Sequence, residues 1–348
     1  MSQSPADAAF RPAQPLVGIK VVEIGHSVAA PFCGQVLADL GAEVVKVENP
    51  NGGDDARHWG PPFVGDTAAT FHSLNRNKTS QTFDLKDEAE RARLAALIGA
   101  SDVVVQNMRP GLVERYGLDA DTLCARYPRL IYCNLGAFGE IGPLHAHTGY
   151  DPLIQAFTGI MSVTGEAGRP PVRVGPSVID QGAGMWCVIG ILSAILGRAQ
   201  SGKGCRVDTS LFETGLSWMT VPIGNACASG REPGKSGSET PMLVPYRAFL
   251  AADRHVVIAA GNTNLFRRLV TTLGHPEWAD DARFATNADR VAHRVVLNAL
   301  IEEVVQTQPS AHWMAELDKV GVPCAPVHQV SEVLAHPQTE ALGILLPT

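Results

Sequence analysis

The sequence lacks most of the marks by which a function is read directly. Its seven cysteines (Cys33, Cys124, Cys133, Cys187, Cys205, Cys227 and Cys324) form no CxxC pair and keep no regular spacing. That excludes a cysteine zinc site and a disulfide framework, and it fits the reduced thiols of a cytoplasmic protein. Positive charge is not in excess: 28 Lys and Arg stand against 35 Asp and Glu, a formal net charge of -7. A surface that tracks nucleic-acid phosphates is therefore not expected. No apolar stretch reaches the length of a charge-free membrane span, so no membrane partner is expected. The opening "MSQSPADAAFRPAQP" has neither the apolar core of a secretion signal nor the Arg-rich face of a transit peptide, and residues 1–15 read as a disordered tail.

Catalytic signatures are missing too. The turn after the first strand, "GHSVAAPFCG", departs from GxGxxG, which removes the main support for a dinucleotide cofactor. Walker and zincin motifs are absent, and "FETGLSW" lacks the GxSxG spacing of a nucleophile elbow.

What is present is 348 residues at 45% hydrophobic content, enough for a large core and more than one domain. From Leu16, "LVGIKVVEIG", "PFCGQVLADLG" and "AEVVKVE" give strand, helix and strand, a βαβ unit. "DEAERARLAALIGA", "DVVVQN" and "RLIYCNLGAF" continue the alternation. The expected class is α/β: a large, open, parallel-sheet (Rossmann-like) domain over residues 16–225, with an apolar helix over 181–199. "ASGREPGKSGSETP" reads as a linker, placed at 226–240. A smaller α+β domain follows over 241–325, opening with the hairpin "PYRAFLAADRHVVIAAGN".

Polar insertions fall at strand ends: His26, "NRNK" at 75–78, "DLK" at 84–86, "QNMRPG" at 106–111 with Arg115, and "TGYD" at 148–151. Loops at the carboxyl ends of a parallel sheet are where such a domain binds ligand. Arg115 offers a fork and Lys86 a point charge for phosphate. Each residue also has a plainer role. His26 would bond backbone in a loop, Asp151 would form a turn before Pro152, and "NRNK" would be a polar hairpin. His145 and His147 sit in a loop without a Cys or carboxylate at ligand spacing, so no metal is expected. Arg57, His58 and Trp59 read as decoration on a flexible segment. Asp180, alone before the apolar run, either caps a helix or carries chemistry, and the roles can coexist. A helix N-terminus would keep its carboxylate ionised.

Taken in order, "GIKVVEIGHSVAAPFCGQVLADLGAEVVKVE", "GDDARHWGPPF", "NRNKTSQTFDLK", "VVVQNMRPGLVERYG", "YCNLGAFGEIGP", "GYDPLIQAFTGIMSVTG" and "PPVRVGPSVIDQGAGM" resemble the class III CoA-transferase family, the CaiB/BaiF type that includes formyl-CoA transferase and CoA-ester racemases. The resemblance makes Asp180 the nucleophile: it attacks an acyl-CoA thioester to give an aspartyl anhydride, then passes through an aspartyl-CoA thioester. It implies coenzyme A thioesters and small carboxylic acids as substrates, with no permanently bound cofactor. It places His26, Val28 and Ala29 near the pantetheine, and Phe83, Asp84, Leu85 and Lys86 against the CoA. Asn107, Met108 and Arg109 join them, with Arg115 and the run Thr148, Gly149, Tyr150 and Asp151. It also implies an interlocked homodimer, with residues 326–348 as the shortened start of a segment returning to the large domain.

Asn49 stands where an oxalate-specific relative has arginine, and Thr148 where it has lysine. "AAGNTN" takes the place of that enzyme's glycine-rich lid, making Gly261 and Asn262 candidate donors to acyl oxygen. A racemase usually has "GHD" where this chain reads "GYD", which favours transferase over epimerisation; a non-catalytic CoA-ester binding protein is the third reading. "GDDARHWGPPFVGD", "LNRNK" and "IAAGN" resemble the subgroup using succinyl-CoA with dicarboxylates, and Arg57, Arg76 and Arg173 are candidate partners for a far carboxylate.

Overall fold

Six short runs, most of them rich in β-branched residues, form the strands of one sheet: Lys20–Ile24 (β1), Glu43–Glu48 (β2), Lys78–Thr82 (β3), Val103–Gln106 (β4), Ile131–Gly136 (β5) and Arg206–Ser210 (β6). In this computed structural model, which describes residues 14–345, all neighbouring strands are parallel and the order is β3-β2-β1-β4-β5-β6. The tail expected over 1–15 lies, except for Gln14 and Pro15, outside the described residues.

Alternation along the strands supplies both faces of the sheet. Val21, Val103, Val105, Ile131 and Cys133 pack on one side with the helices Ala29–Asp39 (α1) and Val178–Ser201. Val22, Ile24, Val104 and Tyr132 pack on the other with Glu88–Gly99 (α2) and Ala120–Arg126 (α3). Besides the 24-residue Val178–Ser201 (α5), two further helices matter for the site: Asp151–Phe157 (α4) and Leu211–Trp218 (α6).

Helix α5 begins three residues before the expected start at 181, because a distant side chain caps it, as described below. Contrary to the expectation that no stretch is long and apolar enough to span a membrane, one 18-residue window of α5 reaches a mean hydropathy of 1.6 and meets that length and composition. Its Ile179, Ala183, Cys187 and Ile191 are instead buried in the core beside α1. Gly184 permits the close approach: a Cβ there would lie 2.7 Å from the Ala29 carbonyl oxygen.

The chain divides into two compact units, the first ending at Thr164 and resuming over Pro171–Pro233, the second taking Gly165–Pro170 and everything described from Gly234. Helix Thr220–Ser229 (α7) runs into the expected linker and stops at Gly230, whose φ of 65° suits a left-handed cap. The second unit is α+β. Strands Tyr246–Leu250 (β7), His255–Ala259 (β8) and Cys324–Pro326 (β9) form an antiparallel sheet in the order β9-β8-β7. Helices Thr263–Thr272 (α8), Arg294–Val305 (α9) and Ser310–Lys319 (α10) bury Phe266, Leu269, Leu297, Ile301 and Trp313 with its strands. The described residues after β9 group with this second unit: Val327 N–H donates to the His255 carbonyl at 3.0 Å and Arg254 pairs with Glu332 at 2.5 Å.

Candidate active site

In the order β3-β2-β1-β4-β5-β6 the connections diverge between β1 and β4, which opens a crevice at their carboxyl ends. The two loops there are tied together. His26 N–H donates to Asn107 Oδ1 and Asn107 Nδ2 donates to the His26 carbonyl, both at 3.0 Å. Ser27, next in the turn, holds a left-handed φ of 70°, a costly conformation for a residue with a Cβ. Asp54 Oδ1 accepts its N–H at 3.0 Å and fixes it.

A buried chain of charges supports this turn. Lys46 Nζ lies 3.0 Å from Glu23 Oε1 and 2.8 Å from Asp54 Oδ2, and it donates to the Gly25 carbonyl at 2.8 Å. Lys78 Nζ meets Glu23 Oε2 at 2.7 Å. Burial works against the charge on Lys46, yet Glu23 and Asp54 raise its pKa above the ordinary value. The "NRNK" segment is thus not a surface hairpin throughout, because its lysine reaches the core. Nor is 57–59 loose: Arg57 grips Glu48 with bonds of 2.7 and 2.6 Å, and Trp59 lines a cavity. Burial would raise the Glu48 pKa, but the Arg57 fork and the Ser80 hydroxyl bring it down to about 2.

Two cavities adjoin at this crevice, sharing His26 and Met108. The first, of about 320 Å³, is lined by Phe83, Asp84, Leu85 and Lys86, with Asn49 and Tyr116. Its loop is braced from α2, where Arg91 Nη1 donates to the carbonyls of Leu85 at 2.9 Å and Lys86 at 3.0 Å. Arg93 stacks 3.9 Å over the buried Phe83 ring. Lys86 is the one Lys or Arg among the residues described as lining it.

The second cavity, of about 250 Å³, holds Asp180. Val28, Ala29, Asn107, Met108, Arg109, Thr148, Gly149, Tyr150 and Asp151 all line it. Asp180 is not the cap of α5. The N-cap residue Ser177 makes no side-chain cap bond, and the first-turn donors go to Asp151, 2 % exposed on α4. Asp151 Oδ2 accepts from Ile179 N–H at 2.7 Å and from Asp180 N–H at 3.2 Å, while its Oδ1 accepts from Gln155 Nε2 at 2.6 Å. Gln155 is held in turn by Val174 N–H, which donates to its Oε1 at 2.8 Å.

The Asp180 carboxyl is left with no hydrogen-bond donor among the described residues. Burial, and then the Asp151 charge, push it up to about 7. This reverses the expectation that the helix terminus would keep it ionised, because Asp151 takes the N–H groups that would have done so. Burial likewise lowers the His26 pKa, against the pull of Asp54 and Asp55. An unpartnered carboxyl facing a cavity is free to attack an electrophile placed there.

Other expected residues fall elsewhere. Arg115 ends a single helical turn, Leu112–Arg115, and lines neither cavity; its neighbour Tyr116 does. Gly261 and Asn262 belong to the second unit, where Asn262 caps α8 by accepting from Leu265 N–H at 3.0 Å. Arg57 is taken by Glu48, Arg76 by Asp39, and Arg173 by the carbonyls of Val174 and Gly175. Trp59, read from sequence as decoration, lines the second cavity, and Tyr116 and Ser177, which lie within the quoted resemblance blocks but carry no assigned role there, line the first and the second.

The profile of the family described as CoA-transferase family III matches residues 16–348. The acetyl-CoA:oxalate CoA-transferase of Acetobacter aceti is 39% identical over 337 residues, covering 97% of this chain and 86% of that protein. The succinate–glutarate CoA-transferase of Agrobacterium fabrum is 38% identical over 336 residues, covering 95% of this chain and 84% of its own. Among solved structures, a CaiB/BaiF family protein from Brucella suis superposes with a TM-score of 0.85 at 43% identity, over 95% of this chain and 88% of that one.

Proposed function

The chain belongs to CoA-transferase family III, and from that membership we propose that it moves coenzyme A from succinyl-CoA, or a related dicarboxylyl-CoA, to a free carboxylic acid through covalent intermediates on Asp180. The observation that carries the covalent reading is the Asp180 carboxyl itself: unpartnered, partly buried, and in a cavity that shares His26 and Met108 with a second one. The 83–86 loop and Lys86 would receive the nucleotide end, with the pantetheine passing His26 and Met108 to bring its thioester to Asp180.

Attack by Asp180 Oδ on the thioester carbonyl forms a C–O bond and expels the CoA thiolate, giving an aspartyl anhydride. The thiolate then attacks Asp180 Cγ and releases the donor acid as carboxylate, leaving aspartyl-CoA. The acceptor carboxylate reverses both steps. Contacts with the distant nucleotide hold thiolate and anhydride together and keep water out.

Epimerisation needs an acid and a base free to reach an α-carbon. Asp151, the residue such a reading requires, has both oxygens engaged by three donors. Exposed apolar side chains on α5, Met185, Trp186 and Ile189, and Trp218 on α6 support a homodimer in which a second copy covers them. A cytoplasmic setting fits the free cysteines.

The test is incubation with succinyl-CoA and a panel of mono- and dicarboxylic acids, following new CoA esters and the mass of the Asp180 peptide. CoA carried on Asp180 is the expected result. Solvent deuterium entering the α-position with no acceptor present would indicate a racemase, and binding without either product would indicate a non-catalytic protein.

A further inference from the structure

Asp151 stands beside Asp180 with its charge fully satisfied, whereas Asp180 has no donor of its own. Three N–H groups converge on Asp151: Gln155 Nε2 at 2.6 Å, Ile179 N at 2.7 Å and Asp180 N at 3.2 Å. A carboxylate, acceptor only, suits three donors; a carboxylic acid would set a hydroxyl against one of them. The arrangement is rigid, since Gln155 is itself pinned by Val174 N–H. A fixed negative charge therefore faces the free Asp180 carboxylate inside a partly closed cavity, where the other titratable groups on the wall are His26, Arg109, His147 and Tyr150.

We propose that Asp151 is a positioning residue that drives Asp180 toward its acylated forms by repelling the ionised carboxylate and withholding the helix donors from it. The proposal rests on the reading of Asp180 as nucleophile. In the balanced half-reaction, acyl-CoA and the Asp180 carboxylate become aspartyl-CoA and a free carboxylate. The thioester C–S bond breaks, a new C–S bond forms at Asp180 Cγ, and the negative charge leaves with the donor acid. Anhydride and aspartyl thioester are both neutral at Asp180, so the repulsion disfavours only the free ionised enzyme. Protonation relieves the same repulsion, which is why burial and Asp151 together raise the affinity of Asp180 for a proton. Acylation and protonation are then linked through one charge.

The experiment compares the wild-type protein with Asp151→Asn, incubated with succinyl-CoA at about pH 9, well above the Asp180 titration. Intact mass spectrometry reads the ratio of aspartyl-CoA to free enzyme, and the pH dependence of kcat/KM reads the acid limb. Removal of the charge is expected to lower the adduct ratio several-fold and to move the acid limb down from about 7. The two changes should agree, about tenfold in ratio for each unit of pH. A purely structural role would lower activity without moving the limb and the ratio in step, and that result overturns the proposal. Asp151→Ser also keeps an acceptor for the helix while losing the charge, so it replaces Asp151→Asn if that variant does not fold. If the wild-type protein forms no adduct, the nucleophile reading falls as well; an adduct that is equally abundant in the variant overturns this proposal alone.

Discussion

Asn107 and His26, eighty-one positions apart, exchange two 3.0 Å hydrogen bonds and so bind the ends of β4 and β1 into one rim. Everything at the crevice hangs on that rim, since His26 and Met108 line both cavities.

Asn107→Leu keeps the volume and removes both bonds. The expected cost is about 2 kcal/mol, from two hydrogen bonds at about 1 kcal/mol each. A urea midpoint equal to that of the wild-type protein would show that the loops are held by something else. The KM for acyl-CoA is expected to rise along with the loss of stability.

Asp180→Asn is expected to stop CoA transfer and to stabilise the fold at neutral and alkaline pH. The sign follows from the direction of the shift. The folded carboxyl titrates near 7, against roughly 3.9 for an unperturbed aspartate, so ionisation costs the native state increasingly as pH rises between those values. The gain should be about 2 kcal/mol above pH 7, after allowance for solvent at the cavity mouth, and should vanish near pH 4. Melting temperatures across that range decide it. A variant less stable than wild type at pH 8 would mean that the Asp180 charge is accommodated after all.

Lys46→Met removes the cation shared by Glu23 and Asp54, whose side chains are 0% and 1% exposed. Uncompensated buried charge costs about 3–5 kcal/mol. Equilibrium denaturation measures it, and a loss below about 1 kcal/mol would imply that water or a rearranged Lys78 serves instead.

Lys86→Ala is expected to raise the KM for every acyl-CoA about fivefold, the equivalent of roughly 1 kcal/mol, with kcat little changed. Arg115→Ala, outside both cavities, should move it less than about twofold. The reverse ranking would mean that the nucleotide reaches past the 83–86 loop to the Leu112–Arg115 turn.

Much of the fold was legible because strand and helix periods alternate clearly from β1 to β6, and the family resemblance marked Asp180 among several aspartates. The start of α5 was not legible. Its cap comes from Asp151, twenty-nine positions before Asp180, and local rules weigh only the residues adjoining a helix. The charge chain is hidden for a related reason: Glu23 and Lys46 read as strand residues of ordinary polarity, and Lys78 as the end of a polar hairpin, until β1, β2 and β3 lie side by side. Trp59 reads as part of a loose loop because the Glu48–Arg57 fork two positions before it spans nine positions without a motif. Arg115 was selected for its chemistry, and its placement on a separate turn could not be foreseen from charge alone.

That the two cavities meet at His26 and Met108 has a practical consequence. Molecules half the size of coenzyme A, one seated on the 83–86 loop and another beside Asp180, should occupy the protein together without competing. Joining such fragments across His26 and Met108 with a tether of the right span would turn two weak binders into one tight inhibitor.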